Sequence, residues 1–226
     1  MFHQPIDWIA LALLTAVLPV YHALLPTLRR RGERFTGGRR IRREIESWIR
    51  VVITERQPIL AVQQMRNLTM VAATLTSATL IIMTLAGSFL LGGSGEVVDG
   101  TFVLDPLTSK VLVLLGALAV AFVSFVQALT QIGRFTLLVA ADPATIQRGE
   151  GDPVRFLGGM LIQAFRTFRT GLHFLTALIA VLFWTFNPWL CIGFTALLAV
   201  KFIFFDDFPY LIRRRSRPLR APHQKP

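Results

Sequence analysis

Long apolar runs are the feature that most restricts how this chain can fold. Three of them, residues 6–25, 68–91 and 107–132, reach the length of about 20 residues that an α-helix needs to cross the hydrocarbon layer of a membrane. Apolar residues make up 53% of the 226 residues and charged residues only 16%. This profile is typical of an integral membrane protein and predicts an all-α fold, a polytopic membrane helical bundle.

A fourth apolar region, residues 171–207, is too long for one ordinary span and contains the turn signal Asn187-Pro188. We expect the chain to reverse there, which gives two short spans at 171–186 and 189–205 and a total of five. Trp184 and Trp189 would then flank the outer turn, at the membrane interface that indole rings prefer. The alternative is four spans, with one long kinked helix at the end.

Arginines are concentrated in particular segments, and this bias predicts the orientation. The segment 29–56 is rich in arginine, whereas 92–109 contains acidic residues and no basic one. Because cytoplasmic loops carry an excess of Lys and Arg, the first segment is predicted inside and the second outside. The amino end is therefore expected outside, in a bacterial inner (plasma) membrane. Residues 1–207 are expected to form a single transmembrane domain, and the basic tail 208–226 a disordered cytoplasmic segment.

The formal net charge of +11 would suggest nucleic-acid binding in a soluble protein. In a membrane protein, arginines at the ends of spans also follow from insertion and from contact with anionic headgroups. We therefore expect the partners to be anionic headgroups on the cytoplasmic side and further copies of this chain or other membrane subunits. No nucleic-acid partner is expected.

Two further segments, residues 41–53 and 153–170, have helical periodicity with apolar side chains on one side and arginines on the other. Asp152 is a predicted helix cap, and Pro153 suits a first helical position. This pattern is typical of helices that lie in the membrane interface. Partner-binding helices are the alternative.

Polar side chains accompany the spans at the depth of the predicted cytoplasmic interface. On the third span, Gln127, Gln131 and Arg134 are spaced i, i+4 and i+7 and therefore share one face. The candidate polar path or interhelix cluster consists of Gln63, Arg66, Asn67, Gln127, Gln131, Arg134, His22 and His173. Such groups either line a water-filled path or hydrogen-bond helices to one another.

Small and hydroxylated side chains recur along the second span, from Thr69 to Thr84. Their three- and four-residue spacing permits close approach of another helix, within the chain or between chains. The alternative is ordinary packing, with each hydroxyl bonded to the preceding turn of its own helix.

Signatures of enzymes are missing from the sequence. There is no glycine-rich phosphate loop, no nucleophile elbow and no His/Cys spacing for zinc. We therefore expect no catalytic residue, cofactor or metal, and no enzyme. A membrane enzyme or cofactor carrier that uses His22 and His173 is the remote alternative.

Several stretches together resemble a known family. They are "SWIRVVITERQPILAVQQMRN" before the second span, "YH" at Tyr21-His22, and "GLHFLTALIAVLFW" leading to "FFDD". The combination resembles the membrane proteins classed as domain of unknown function family 599, from the first span to Asp207. The resemblance implies a multi-span helical protein and implies no activity or site residue.

Two functions remain open on the sequence. One is a self-associating or accessory component of a membrane assembly, in which the polar cytoplasmic collar serves assembly. The other is a channel or transporter for an ion or small solute, with a polar vestibule on the cytoplasmic side.

Overall fold

The computed structural model describes residues 5–16, 37–92, 97–98, 101–102 and 106–201. Within these ranges the chain is helical apart from a short antiparallel hairpin of β1 (Val97–Val98) and β2 (Thr101–Phe102). The helices are α1 (Pro5–Ala16), α2 (Gly37–Thr54), α3 (Pro58–Gly92), α4 (Pro106–Val139), α5 (Pro143–Glu150), α6 (Pro153–Phe186) and α7 (Pro188–Lys201). The predicted all-α class is confirmed.

Three helices, α3, α4 and α6, are long and apolar enough to cross a membrane. Their 18-residue apolar windows have mean hydropathies of 1.8, 2.5 and 1.4, respectively. The apolar helices α1 and α7 are shorter, at Pro5–Ala16 and Pro188–Lys201. The predicted spans at 6–25 and 189–205 both extend beyond the described residues.

Proline begins six of the described helices, because its missing N–H has no partner in the first turn and its fixed φ suits that turn. Asp142 and Asp152 precede two of these prolines and cap the helices. Asp152 accepts a hydrogen bond from the Val154 N–H at 3.0 Å, and Asp142 accepts one from the Ala144 N–H at 3.1 Å. The predicted start of a helix at Asp152-Pro153 is confirmed.

Helices α4 and α6 run antiparallel and form the centre of the fold. Their closest approach is at Gly171, where a side-chain Cβ would lie 2.6 Å from Cε1 of the fully buried Phe125. The Phe125 ring also contacts Phe168, with ring centroids 5.6 Å apart. Helix α3 packs on α4, and the buried residues of α3 include Ala61, Met65, Ala72 and Thr79.

Helix α6 corrects one sequence-based boundary. An interfacial helix at 153–170 and a separate span at 171–186 were predicted, but the structure has one continuous helix of 34 residues. Gly171 does not break this helix, because its missing side chain is what allows α6 to contact Phe125. The amphipathic segment is therefore an extension of the span that projects past its apolar part.

The chain reverses at Asn187, as the Asn187-Pro188 signal predicts. The Asn187 N–H donates to the Phe183 carbonyl at 3.0 Å, and its side-chain oxygen accepts from the Trp189 N–H at 2.9 Å. Helix α7 then runs back along α6, since the rings of Phe183 and Phe194 stack with centroids 4.1 Å apart. One long kinked helix is therefore excluded. Trp189 lies exposed beside the turn, as expected, but Trp184 is fully buried.

Helix α2 confirms the predicted amphipathic helix at 41–53 but places its apolar side differently. Ile49 and Val52 are buried against α4 and α6, and the Trp48 ring stacks on Phe135 with centroids 6.4 Å apart. At Gly158 of α6 the space for a Cβ is limited by the Glu46 side chain, 3.1 Å away. The apolar stripe of α2 therefore packs mainly on protein, and its exposed side carries the arginines.

Candidate functional site

The structure brings Gln131 and Arg134 into one cleft between α4 and α6. Helix α6 contributes polar side chains to the same cleft, which has a volume of about 480 Å³. The lining residues are Gln131, Arg134, Arg155, Phe156, Gly159, Met160 and Gln163. Because α4 ends and α6 begins at this end of the fold, two arginines from antiparallel helices face one space.

A threonine hydroxyl borders the amide side of this cleft. The Thr167 hydroxyl donates to the Gln163 carbonyl one turn earlier, at 3.0 Å. Its oxygen also lies 3.5 Å from the side-chain amide of Gln131 on α4. The Gln131 amide has two N–H donors and one oxygen with which it can bind a group in the cleft. Two guanidinium groups and two amides can together bind an anion.

The other predicted polar residues that the structure describes do not line this cleft. On α3, Gln63, Arg66 and Asn67 are exposed, and so is Gln127 on α4, one turn before Gln131. His173 is buried within α6, whereas His22 lies outside the described residues. Among the described residues the predicted cluster is thus divided, because α3 does not border the cleft and Gln127 lies one turn away from it.

The threonine hydroxyls of α3 are bonded within their own helix. Each of several Thr side chains donates to the carbonyl four residues earlier, at 2.6 to 3.0 Å. These residues are Thr69, Thr74, Thr76, Thr79 and Thr84. The predicted back-bonding to the preceding turn is confirmed, and it is compatible with the close approach of another helix.

A second polar cluster lies at the opposite end of the helices and was not predicted. The Asp7 carboxylate of α1 accepts a hydrogen bond from the Trp184 indole N–H at 2.9 Å. The Lys110 ammonium lies 3.5 Å from the same carboxylate oxygen and donates to the Trp184 carbonyl at 3.1 Å. We call Asp7, Lys110 and Trp184 the outer clasp, since they join α1, α4 and α6.

Burial makes the outer clasp structurally important. The Lys110 and Asp7 side chains are only 12% and 11% exposed, and Trp184 is fully buried. The Lys110 ammonium also lies 5.4 Å from the centroid of the indole ring, within the range of a cation–π contact. In the sequence, Asp7 and Lys110 each lie near the start of an apolar helix, and this was the one indication of the pair. Whether they meet depends on how α1 packs against α4.

Metal binding has little support in the described part of the chain, where no three His, Cys, Asp or Glu side chains lie close enough to hold an ion. Cys191 is fully buried, and its sulfur lies 3.9 Å from the Thr195 hydroxyl one turn later. Because the two residues are four apart in α7, helix geometry alone accounts for this contact.

Comparison with known proteins finds one family match. No curated protein and no solved structure matches the chain. A family model described as "Protein of unknown function, DUF599" matches residues 9–209. The resemblance seen in the sequence is thus confirmed, and the chain belongs to this family.

Proposed function

We propose that this chain is a non-enzymatic membrane protein that associates with further copies of itself through α3. The observation that carries this proposal is the exposure of α3. Only 11% of its apolar window is buried, against 33% for α4 and 39% for α6. Much of α3 therefore faces the membrane or another molecule.

The side of α3 that points away from α4 has a distinct composition. At a period near 3.6, a stripe of small, exposed side chains recurs on the side opposite to the buried Ala72 and Thr79, between the large exposed side chains of Met70, Ile81 and Leu85. We call this stripe the small face, and its members are Ala73, Thr74, Ser77, Thr84 and Ser88. Large apolar side chains such as Val71, Ile82 and Phe89 flank it and suit contact with lipid.

Small side chains favour contact between helices rather than contact with lipid. Lipid chains are as apolar as leucine, so helices associate in membranes through close packing, and small residues allow their backbones to approach. The Thr74 and Thr84 hydroxyls are already satisfied within α3. The Ser88 hydroxyl likewise donates to the Leu85 carbonyl, so a second α3 can pack against these side chains without breaking their hydrogen bonds.

For the topology we propose five crossings, with α1 and α7 crossing beside α3, α4 and α6. The arginines of α2, α5 and the first turn of α6 lie at the same end of the fold as the end of α4. This distribution supports a cytoplasmic location for that end and an outside location for the amino end. An inner (plasma) membrane of a bacterium remains the proposed location.

Cross-linking tests the small face directly. A Ser77→Cys variant should form a disulfide-linked dimer in the membrane under mild oxidation, because symmetric α3 packing brings the two sulfurs together. An Ile82→Cys variant is the matched control, since Ile82 is also exposed on α3 but lies off the face. Wild-type protein should not cross-link, because Cys191 is buried. Equal dimer yields at positions 77 and 82 would contradict the proposal.

A channel or transporter is the second candidate, and the cleft with Gln131 and Arg134 is the observation that favours it. Gln63 and Asn67 are exposed on α3, and Gln127 lies one turn away from the cleft, so a path would need a second chain to complete it. In reconstituted vesicles, Gln131→Leu should lower the flux of ions or solutes several-fold if the cleft conducts. Unchanged flux in a folded variant would remove this candidate.

A further inference from the structure

We propose that the cleft between α4 and α6 is a specific site for an anionic phospholipid, whose phosphate is bound by Arg134 and Arg155. We call this space the arginine cleft. The site lies within one chain and on different helices from the small face, so it does not depend on self-association.

The arginine cleft carries positive charge. Arg134 and Arg155 come from different helices and line one cleft, and none of the described residues that line it is acidic. The nearest helix cap, Asp152, uses its carboxylate to accept the Val154 N–H. Guanidinium groups bind phosphate oxygens through paired, charge-assisted hydrogen bonds, so two of them facing one space favour a phosphate.

Arg134 lies at the depth of the lipid headgroups. Helix α4 has 34 residues and is about 51 Å long, whereas the hydrocarbon layer is only about 30 Å thick. If the apolar stretch from Val111 to Thr130 fills the hydrocarbon, Arg134 lies about 6 Å beyond it, at the level of the headgroups. Arg155 is in the first turn of the antiparallel α6, at the same end of the fold and farther from the hydrocarbon than Arg134, because Thr167 of α6 lies level with Gln131 of α4.

Part of the cleft wall is apolar. Phe156 and Met160 are apolar and partly buried beside the arginines, and they form an apolar wall of the cleft. Gly159 has no atom within 4 Å of the place that a Cβ would occupy, so the floor of the cleft is open. A volume of about 480 Å³ falls within the range of about 300–1,000 Å³ that is usual for small-molecule sites.

Two side-chain amides also line the arginine cleft. Gln131 and Gln163 line the cleft from opposite helices and can donate to the phosphate or to the ester carbonyls of a lipid. A soluble organic phosphate would use the same arginines but not the apolar wall. Phosphatidylglycerol combines both features and is therefore the lipid to test first.

Native mass spectrometry of the purified chain in a non-ionic detergent measures this binding. The wild type should bind dioleoyl phosphatidylglycerol at least tenfold more tightly than dioleoyl phosphatidylcholine. Arg134→Gln and Arg155→Gln should each weaken phosphatidylglycerol binding about tenfold, since each removes a charged hydrogen bond to the phosphate. Gly159→Leu should also weaken it, because the new side chain fills the floor without changing the charge.

Two controls make the result decisive. Arg148→Gln removes an exposed arginine of α5 at the same end of the fold but outside the cleft, and should bind like the wild type. Circular dichroism confirms that each variant is folded. The proposal is overturned if folded Arg134→Gln and Arg155→Gln variants bind phosphatidylglycerol normally, or if the two lipids bind equally.

A further binding measurement distinguishes a lipid from a soluble phosphate compound. Glycerol 3-phosphate should bind at least a hundredfold more weakly than phosphatidylglycerol, because it lacks the acyl chains that hold the lipid in the detergent micelle beside the cleft. If it binds as tightly as the lipid and is lost in the same variants, the cleft belongs to a soluble phosphate compound and the lipid assignment is wrong.

Discussion

Replacing Lys110 with Met should lower the free energy of unfolding by about 3 kcal/mol and release α1 from the other helices. The variant leaves the Asp7 carboxylate buried without its cation, and the Trp184 carbonyl loses its donor. Losing one partner of a buried ion pair costs more than the pair itself contributes, because the remaining charge is left desolvated. Thermal unfolding in detergent measures the loss, and hydrogen exchange over residues 5–16 measures the release of α1.

A double variant separates charge from packing in the outer clasp. Asp7→Asn with Lys110→Met removes both charges and keeps an oxygen that can accept the Trp184 indole N–H. Most of the lost stability should return, because no unpaired charge remains. An exposed arginine away from the clasp, Arg43, provides the control as Arg43→Met. If Lys110→Met unfolds at the wild-type temperature, the clasp does not stabilise the fold.

The second large effect is expected at Gly171. A Gly171→Ala variant places a Cβ 2.6 Å from Cε1 of Phe125, and that ring is fully buried and closely surrounded. Either α4 and α6 separate or the ring leaves its preferred position, at a cost of about 2 kcal/mol. Thermal unfolding in detergent should show this loss, with a lower yield of folded protein.

Gly133→Ala is the matched control for Gly171→Ala. Gly133 lies in α4 with no atom within 4 Å of its Cβ position, so alanine there should be neutral or stabilise the helix by up to about 1 kcal/mol. Adding Phe125→Leu to Gly171→Ala should recover part of the stability, because the smaller side chain gives the methyl group room. Equal losses at positions 133 and 171 would show that the contact with Phe125 does not decide the outcome.

The helices and their starts could be predicted because they depend on nearby residues. Apolar length indicated α3 and α4, Asp152 and Pro153 indicated the start of α6, and Asn187-Pro188 indicated the reversal. The continuity of α6 was missed because a glycine and a change from amphipathic to apolar composition resemble a boundary. A glycine packed against an aromatic ring is equally compatible with a continuous helix, and only its neighbour distinguishes the two.

The candidate sites depended on which sides of the helices meet. Gln131 and Arg134 were identified from their spacing on one helix, but Arg155 and Gln163 became their neighbours only through the packing of α6 on α4. The pairing of Asp7 with Lys110 was missed for the same reason, since more than a hundred residues separate them in sequence.

The sequence by itself determined that the chain is helical with helices long and apolar enough to cross a membrane, where several helices begin and reverse, and to which family it belongs. Run length, proline and capping residues act within a few residues, so their effects are readable without the fold. Only the tertiary structure decided that α2 packs on protein, that a cleft holds two arginines, and that a buried ion pair joins α1 to α4. These features arise from contacts between distant helices, and helical periodicity defines the sides of a helix without naming what each side contacts.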